Sequence, residues 1–144
     1  MFLTTKGRYS VMVMVDIATQ CSMAPITALS IAARQNIDSA YLEQILAKLK
    51  AIGLVKAFRG PGGGYKLSKP SKDILLSDIM VAAEEGFKMT RCNNSESKKC
   101  TGGESLCATH HLWLQLEQYI EHFLQSVTLE DVCNTMPDSP DATN

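Results

Sequence analysis

The chain has 144 residues, 45% hydrophobic and 20% charged, with a net charge of -1, enough for one compact domain with a substantial core and too little for two full-sized ones. This composition excludes a chain that is disordered throughout, and the lack of any run near ~20 apolar residues excludes a membrane span. The charge is unevenly spread: residues 1–75 carry ten basic and four acidic residues, and residues 76–144 carry four basic and eleven acidic ones. A basic half joined to an acidic half predicts that the first half meets double-stranded DNA.

Near the amino terminus Lys6 and Arg8 precede an apolar run, but Asp16 interrupts it and no small-residue cleavage site follows, so a secretory leader is not expected. The expected setting is the cytoplasm, where thiols stay reduced. Thr4 or Thr5 can cap a first helix that runs to about Thr19, apolar on nearly every side and so largely buried. Thr27 can cap a short second helix that Asn36 closes in a left-handed conformation. Asp38 or Ser39 opens a third, ended by Gly53, with Leu42, Ile45, Leu46, Leu49 and Ile52 at helical spacing on one face. The opposite face carries Ala40, Glu43, Gln44, Ala47 and Lys48.

Next comes "LVKAFRGPGGGYKLSKP", which predicts two short strands around a glycine-rich tip in which Pro61 presets the turn. Two packed helices followed by a hairpin form the winged helix-turn-helix order, whose second helix enters the major groove. At the start of that helix Ser39, Ala40, Glu43 and Gln44 would meet base edges, Gln44 bridging adenine and Glu43 accepting from cytosine. An alternative pairs Glu43 with Lys48. Lys6, Arg8 and Tyr9 would hold phosphate and set register. Arg59 with Gly60, Pro61, Gly62 and Gly63 makes a slim cationic tip suited to the minor groove, with Lys56 and Lys66 nearby; the bland alternative is an ordinary surface hairpin.

Ser77 is expected to cap a short helix closed by Gly86. A polar stretch, "RCNNSESKKCTGGESLCATHH", then gathers Cys92, Cys100, Cys107, His110 and His111. Seven residues separate the first two cysteines and six the next two, a loose spacing that suits a bulky inorganic core better than the tight pairs of most zinc sites. Three thiolates and one imidazole suit an iron-sulfur cluster; a structural Cys3His zinc and idle thiols are the alternatives. Helix geometry leaves His110 and His111 equivalent as partners of Cys107. Cys21 and Cys133 read as small buried hydrophobes.

A long helix follows, whose Leu112, Trp113, Leu116, Tyr119, Ile120, Phe123, Leu124 and Val127 form a stripe wider than one small domain needs, which predicts a homodimer. Thr128 and Asp131 make a capping box for a last short helix, and the tail from residue 135 is expected to be disordered. No catalytic constellation is evident, so an enzyme with a small-molecule substrate is not expected. The fold class expected is mainly α with a small β-hairpin wing: winged helix-turn-helix over 1–75, connecting helix over 76–90, thiol loop over 91–107, and dimerisation and C-terminal helices over 108–134.

Together "LTTKGRY", "SAYLEQILAKLKAIGLV", "RGPGGGYKL", "TRC" and "CATHHLW" resemble the iron-sulfur cluster regulators of the Rrf-two family of bacterial winged-helix transcription factors, over residues 2–132. The resemblance implies a 2Fe-2S cluster on Cys92, Cys100, Cys107 and His110, since Cys107, His110 and Trp113 match the family's C-x2-H-x2-W pattern. It also implies dimerisation through the long helix and repression of cluster-assembly genes while the cluster is bound. Arg59 would be the minor-groove arginine, and Glu43 and Gln44 the base-facing residues. The cysteine gaps are longer than the family's, and Ala40 stands where it has serine. Relatives that respond to nitric oxide or cysteine supply provide a second functional reading, and a winged helix that binds protein beside a structural zinc a third.

Overall fold

The computed structural model describes residues 4–20, 23–84 and 107–135. Cys21, Gly86, Cys92, Cys100 and the tail beyond residue 135 lie outside them. Six helices and one hairpin are described: α1 (Thr5–Gln20), α2 (Ala28–Gln35), α3 (Ser39–Ile52), β1 (Val55–Phe58), β2 (Gly64–Leu67), α4 (Leu76–Ala82), α5 (His110–Ser126) and α6 (Leu129–Asn134). This is the expected helical chain with a two-stranded wing.

Local chemistry sets most boundaries. Thr27 Oγ1 accepts from the Ser30 N–H (3.2 Å) and Asp38 Oδ2 from the Tyr41 N–H (3.2 Å), each satisfying an orphan donor at a helix start and contributing about 1 kcal/mol. Asn36 (φ 52°) and Gly53 (φ 84°) close α2 and α3 in the left-handed region. Thr128 and Asp131 form the reciprocal capping box of α6. The start of α4 differs from expectation: Ser77 lies inside the helix, and Asp78 Oδ2 accepts from the Leu75 N–H at 3.3 Å. A carboxylate three residues into the helix reaches back as well as a hydroxyl reaches forward.

The core draws on nearly every element. Met14 and Ile17 of α1, Ile31 of α2, and Leu42, Leu46 and Leu49 of α3 are fully buried with Ile74, Ile79 and Leu129, each side chain contributing roughly 1.5–3 kcal/mol. Ile52 departs from the expected apolar face of α3: it is 49% exposed, because it lies in the last turn. In the middle of α1 a buried carboxylate, Asp16, receives Arg34 Nε (3.0 Å), Arg34 Nη2 (2.7 Å) and Gln35 Nε2 (2.8 Å). These donors come from the end of α2, so the pairing fixes α2 against α1.

Two non-local backbone pairings complete the frame. Ile26 and Tyr65 exchange N–H···O bonds of 2.9 and 2.7 Å, adding one residue of the loop before α2 to the edge of β2. Leu76 N–H donates to the Val127 carbonyl (3.0 Å) and Leu129 N–H to the Ile74 carbonyl (2.8 Å). This second pairing ties the starts of α4 and α6 together, so that α6 packs against α1.

Candidate functional site

The exposed side of α3 carries Ser39, Ala40, Glu43, Gln44 and Ala47, opposite the buried Leu42, Ile45, Leu46 and Leu49. Packing therefore turns the candidate base-reading residues outward. Tyr41 stands edge-on to Tyr9, with ring centroids 5.9 Å apart, so the start of α1 is held beside the start of α3 and Lys6 and Arg8 are exposed near it. A shallow groove of about 20 Å³ between α1, α3 and the end of α4 is lined by Lys6, Tyr41, Gln44 and Lys48. Lys48 does not take Glu43: its Nζ bonds Glu84 Oε2 at 2.8 Å. That salt bridge, between residues far apart in sequence, had no local signature.

At the wing, Val55 pairs with Leu67 and Phe58 with Gly64. The Gly63 N–H donates to the Gly60 carbonyl (2.9 Å) around Pro61 and Gly62, and Gly62 has φ 75°. This is the type II geometry that proline second and glycine third favour. The tip from Arg59 to Gly62 is exposed and Gly63 half-buried. Arg59 makes no ion pair among the described residues, so its charge is available to a partner. Lys66 is engaged: its Nζ bonds the Met23 carbonyl (2.7 Å) and lies 5.9 Å from the Phe58 ring centroid. The loop before α2 thus anchors the wing's second strand, and of the wing cations Arg59 is the one at the tip.

Of the four expected thiol-site ligands the structure describes two. Cys107, half-buried, precedes α5; His110 is its first residue, and the His110 N–H donates to the Cys107 carbonyl at 3.1 Å. This turn keeps the two residues close along the backbone at the helix start. The His110 and His111 rings are edge to face with centroids 5.5 Å apart. Thr109 is the N-cap, yet its side chain caps no backbone N–H. Its Oγ1 accepts from Trp113 Nε1 (3.1 Å) and lies 3.8 Å from Cys107 Sγ. Thr109 was missed in the sequence, though the four-residue step from a hydroxyl to a donor-only indole is a readable signal. Farther along α5, Leu112, Tyr119 and Phe123 are exposed while Leu124 is buried, so the aromatic stripe divides between the core and the open surface. Cys133, on α6, is half-buried where a buried residue was expected, and burial first, with the Glu130 charge second, pushes its thiol up.

Among the described residues no helix is long and apolar enough to cross a membrane. Residues 3–135 match the family described as Rrf2, iron-dependent transcriptional regulator. The chain is 42% identical over 134 residues to the HTH-type transcriptional regulator IscR of Photorhabdus laumondii subsp. laumondii, which covers 93% of this chain and 80% of the relative. Its fold is similar to that of IscR of T. potens (TM-score 0.75, 31% identity, 99% of this chain and 96% of that one). It is also similar to that of CymR, the global cysteine regulator of B. subtilis (TM-score 0.78, 30% identity, 95% and 99%). An outward-facing recognition helix, a cationic wing and a match along almost the whole chain make this protein a member of the Rrf2 family of transcriptional regulators.

Proposed function

We propose that the protein is a homodimeric, DNA-binding repressor that gauges iron-sulfur cluster supply, with Cys92, Cys100, Cys107 and His110 as ligands of a 2Fe-2S cluster. The observation that carries the reading is the turn at the start of α5, where Cys107 and His110 lie together directly ahead of the exposed stripe of Leu112, Tyr119 and Phe123. The donor chemistry supports the group: thiolates and an imidazole suit such clusters, and the two candidate donors among the described residues, Cys107 and His110, are one of each from a short backbone span. When bound, the cluster supplies a redox-active and labile occupancy signal. His110, neutral where a fourth thiolate would be charged, lowers the negative charge at the site and gives protons a ligand to compete for.

On DNA, Glu43 and Gln44 read base edges in the major groove, Ser39 and Ala40 stand at the approach, and Lys6, Arg8 and Tyr9 hold phosphate. Arg59 enters the minor groove on a tip kept slim by Gly60, Pro61, Gly62 and Gly63. In a dimer joined through α5, the relative placement of two copies of α3 sets half-site spacing. The likeness to CymR favours a second reading, in which the same scaffold answers to cysteine supply.

Anaerobic purification followed by visible absorption and iron and sulfide assays tests the proposal. Matched iron and sulfide with a 2Fe-2S spectrum is the expected result. Colourless protein holding stoichiometric zinc would sink it, and Cys100→Ala with unchanged DNA site choice would move the trigger to the second reading.

A further inference from the structure

Thr109 sits between two proposed ligands, and its hydroxyl is not used as an N-cap normally uses it: no backbone N–H of α5 reaches it. Instead Oγ1 accepts from the indole Nε1–H of Trp113 at 3.1 Å and faces Cys107 Sγ at 3.8 Å. The Trp113 N–H also donates to the Thr109 carbonyl, at 3.3 Å, so two bonds fix Trp113 over Thr109. The indole can only donate, which leaves the hydroxyl proton to find another acceptor. A cysteine ligating metal is a thiolate and can only accept. With Cys107 as such a ligand, the hydroxyl is the donor of the Thr109–Cys107 contact, polarised by the indole behind it.

We infer that Thr109, held by Trp113, is a positioning residue that hydrogen-bonds the Cys107 sulfur and thereby raises the reduction potential of the cluster. This rests on the cluster reading above. The physical cause is general: a hydrogen bond to a ligand sulfur withdraws electron density from the metal and favours the reduced form, in which the sulfur is more negative. Because the hydroxyl makes no cap bond, removing it leaves the backbone bonding of α5 intact.

The test uses the full chain in two states. In the cluster-loaded protein, Thr109→Val should shift the midpoint potential to more negative values, Trp113→Phe should shift it the same way by less, and Thr109→Ser should restore it. In the cluster-free protein, Trp113 is the only tryptophan, so its fluorescence reports the relay directly: Thr109→Val should shift the emission and Thr109→Ser should not. Equal potentials in loaded wild type and Thr109→Val would overturn the inference while leaving the cluster reading intact. Unchanged emission in Thr109→Val would also overturn it, by removing the relay. A wild type that takes up no iron and sulfide under reconstitution would overturn the cluster reading and this inference together.

Discussion

Lys48 Nζ holds Glu84 Oε2 at 2.8 Å, joining α3 to the second residue beyond α4. Glu84 has a left-handed backbone (φ 58°) and, in sequence, stands directly ahead of the segment bearing Cys92 and Cys100. Pairing with Lys48, by hydrogen bond first and charge second, holds the Glu84 carboxyl below its ordinary range. A carboxylate depressed in this way adds stability above its unfolded value, about pH 4.3, and loses that contribution as pH falls through the lower folded value. Carbon NMR of the Glu84 carboxyl should show titration below the ordinary carboxylate range in the wild type and a return toward that range in Lys48→Met. High salt should move the wild type toward the variant. Coincident curves at low salt would remove the pair from the solution structure.

Asp16 makes a different kind of prediction, because it is buried. Arg34→Ala leaves the carboxylate with Gln35 Nε2 as its remaining side-chain donor. Breaking a fully buried pair costs about 3–5 kcal/mol, and the Arg34 side chain is 36% exposed, so a loss of roughly 2–3 kcal/mol is expected in urea unfolding. The double variant Asp16→Ala, Arg34→Ala should lose less than the two singles summed, since it removes the stranded charge.

Gly64 tests the wing's attachment. Its φ of 149° disfavours other residues, and a Cβ there would run into the Ile26 carbonyl. Gly64→Ala should cost roughly 1–3 kcal/mol and detach Ile26 from Tyr65, seen as faster hydrogen exchange at the Ile26 and Tyr65 amides. Wild-type exchange rates at both amides would refute the claim.

The division between what was legible in the sequence and what was not follows the range of the interactions. Thr27, Asn36, Asp38, Gly53 and the Thr128–Asp131 box act within four residues, and each was readable because capping chemistry is local. The outward face of Glu43 and Gln44 followed from helical period. The Ile26–Tyr65 and Leu75–Thr128 bridges join distant segments whose pairing leaves no local period, and neither was readable. The alternative that pairs Lys48 with its near neighbour Glu43 fails because the fold supplies a distant partner, Glu84. At the thiol site the candidate donors stood out in the sequence, and so could the four-residue step from Thr109 to Trp113, whereas the approach of Thr109 Oγ1 to Cys107 Sγ depends on a rotamer that only packing fixes.

On DNA, the two classes of contact should separate. Lys6→Ala should weaken binding to all sequences and lower the salt slope by about one, as expected for one phosphate contact. Gln44→Ala should cost about 1–3 kcal/mol at one base position and spare the others. Arg59→Ala should weaken sites with a narrow minor groove most. Binding titrations over a fourfold salt range, with operator and scrambled duplexes, distinguish these; a uniform loss for Gln44→Ala would remove it from base reading.

The exposed side of α5 makes the last prediction. Tyr119 and Phe123 are 65% and 62% exposed, and Leu112, one further turn pair toward the helix start, is 55% exposed. In a single chain this places apolar area against water along one face, whereas against a second α5 the same residues would be buried and the remainder of the stripe, led by Leu124, would still serve the core. A charge on that face, Tyr119→Glu, should therefore leave the fold intact and separate the chains. Circular dichroism should be unchanged, light scattering after size exclusion should fall from twice the chain mass to once, and affinity for a two-half-site operator should drop far more than affinity for one half-site. A variant that keeps the dimer mass would move the interface away from α5, since no self-associating face could bury an unpaired carboxylate at its centre without losing affinity.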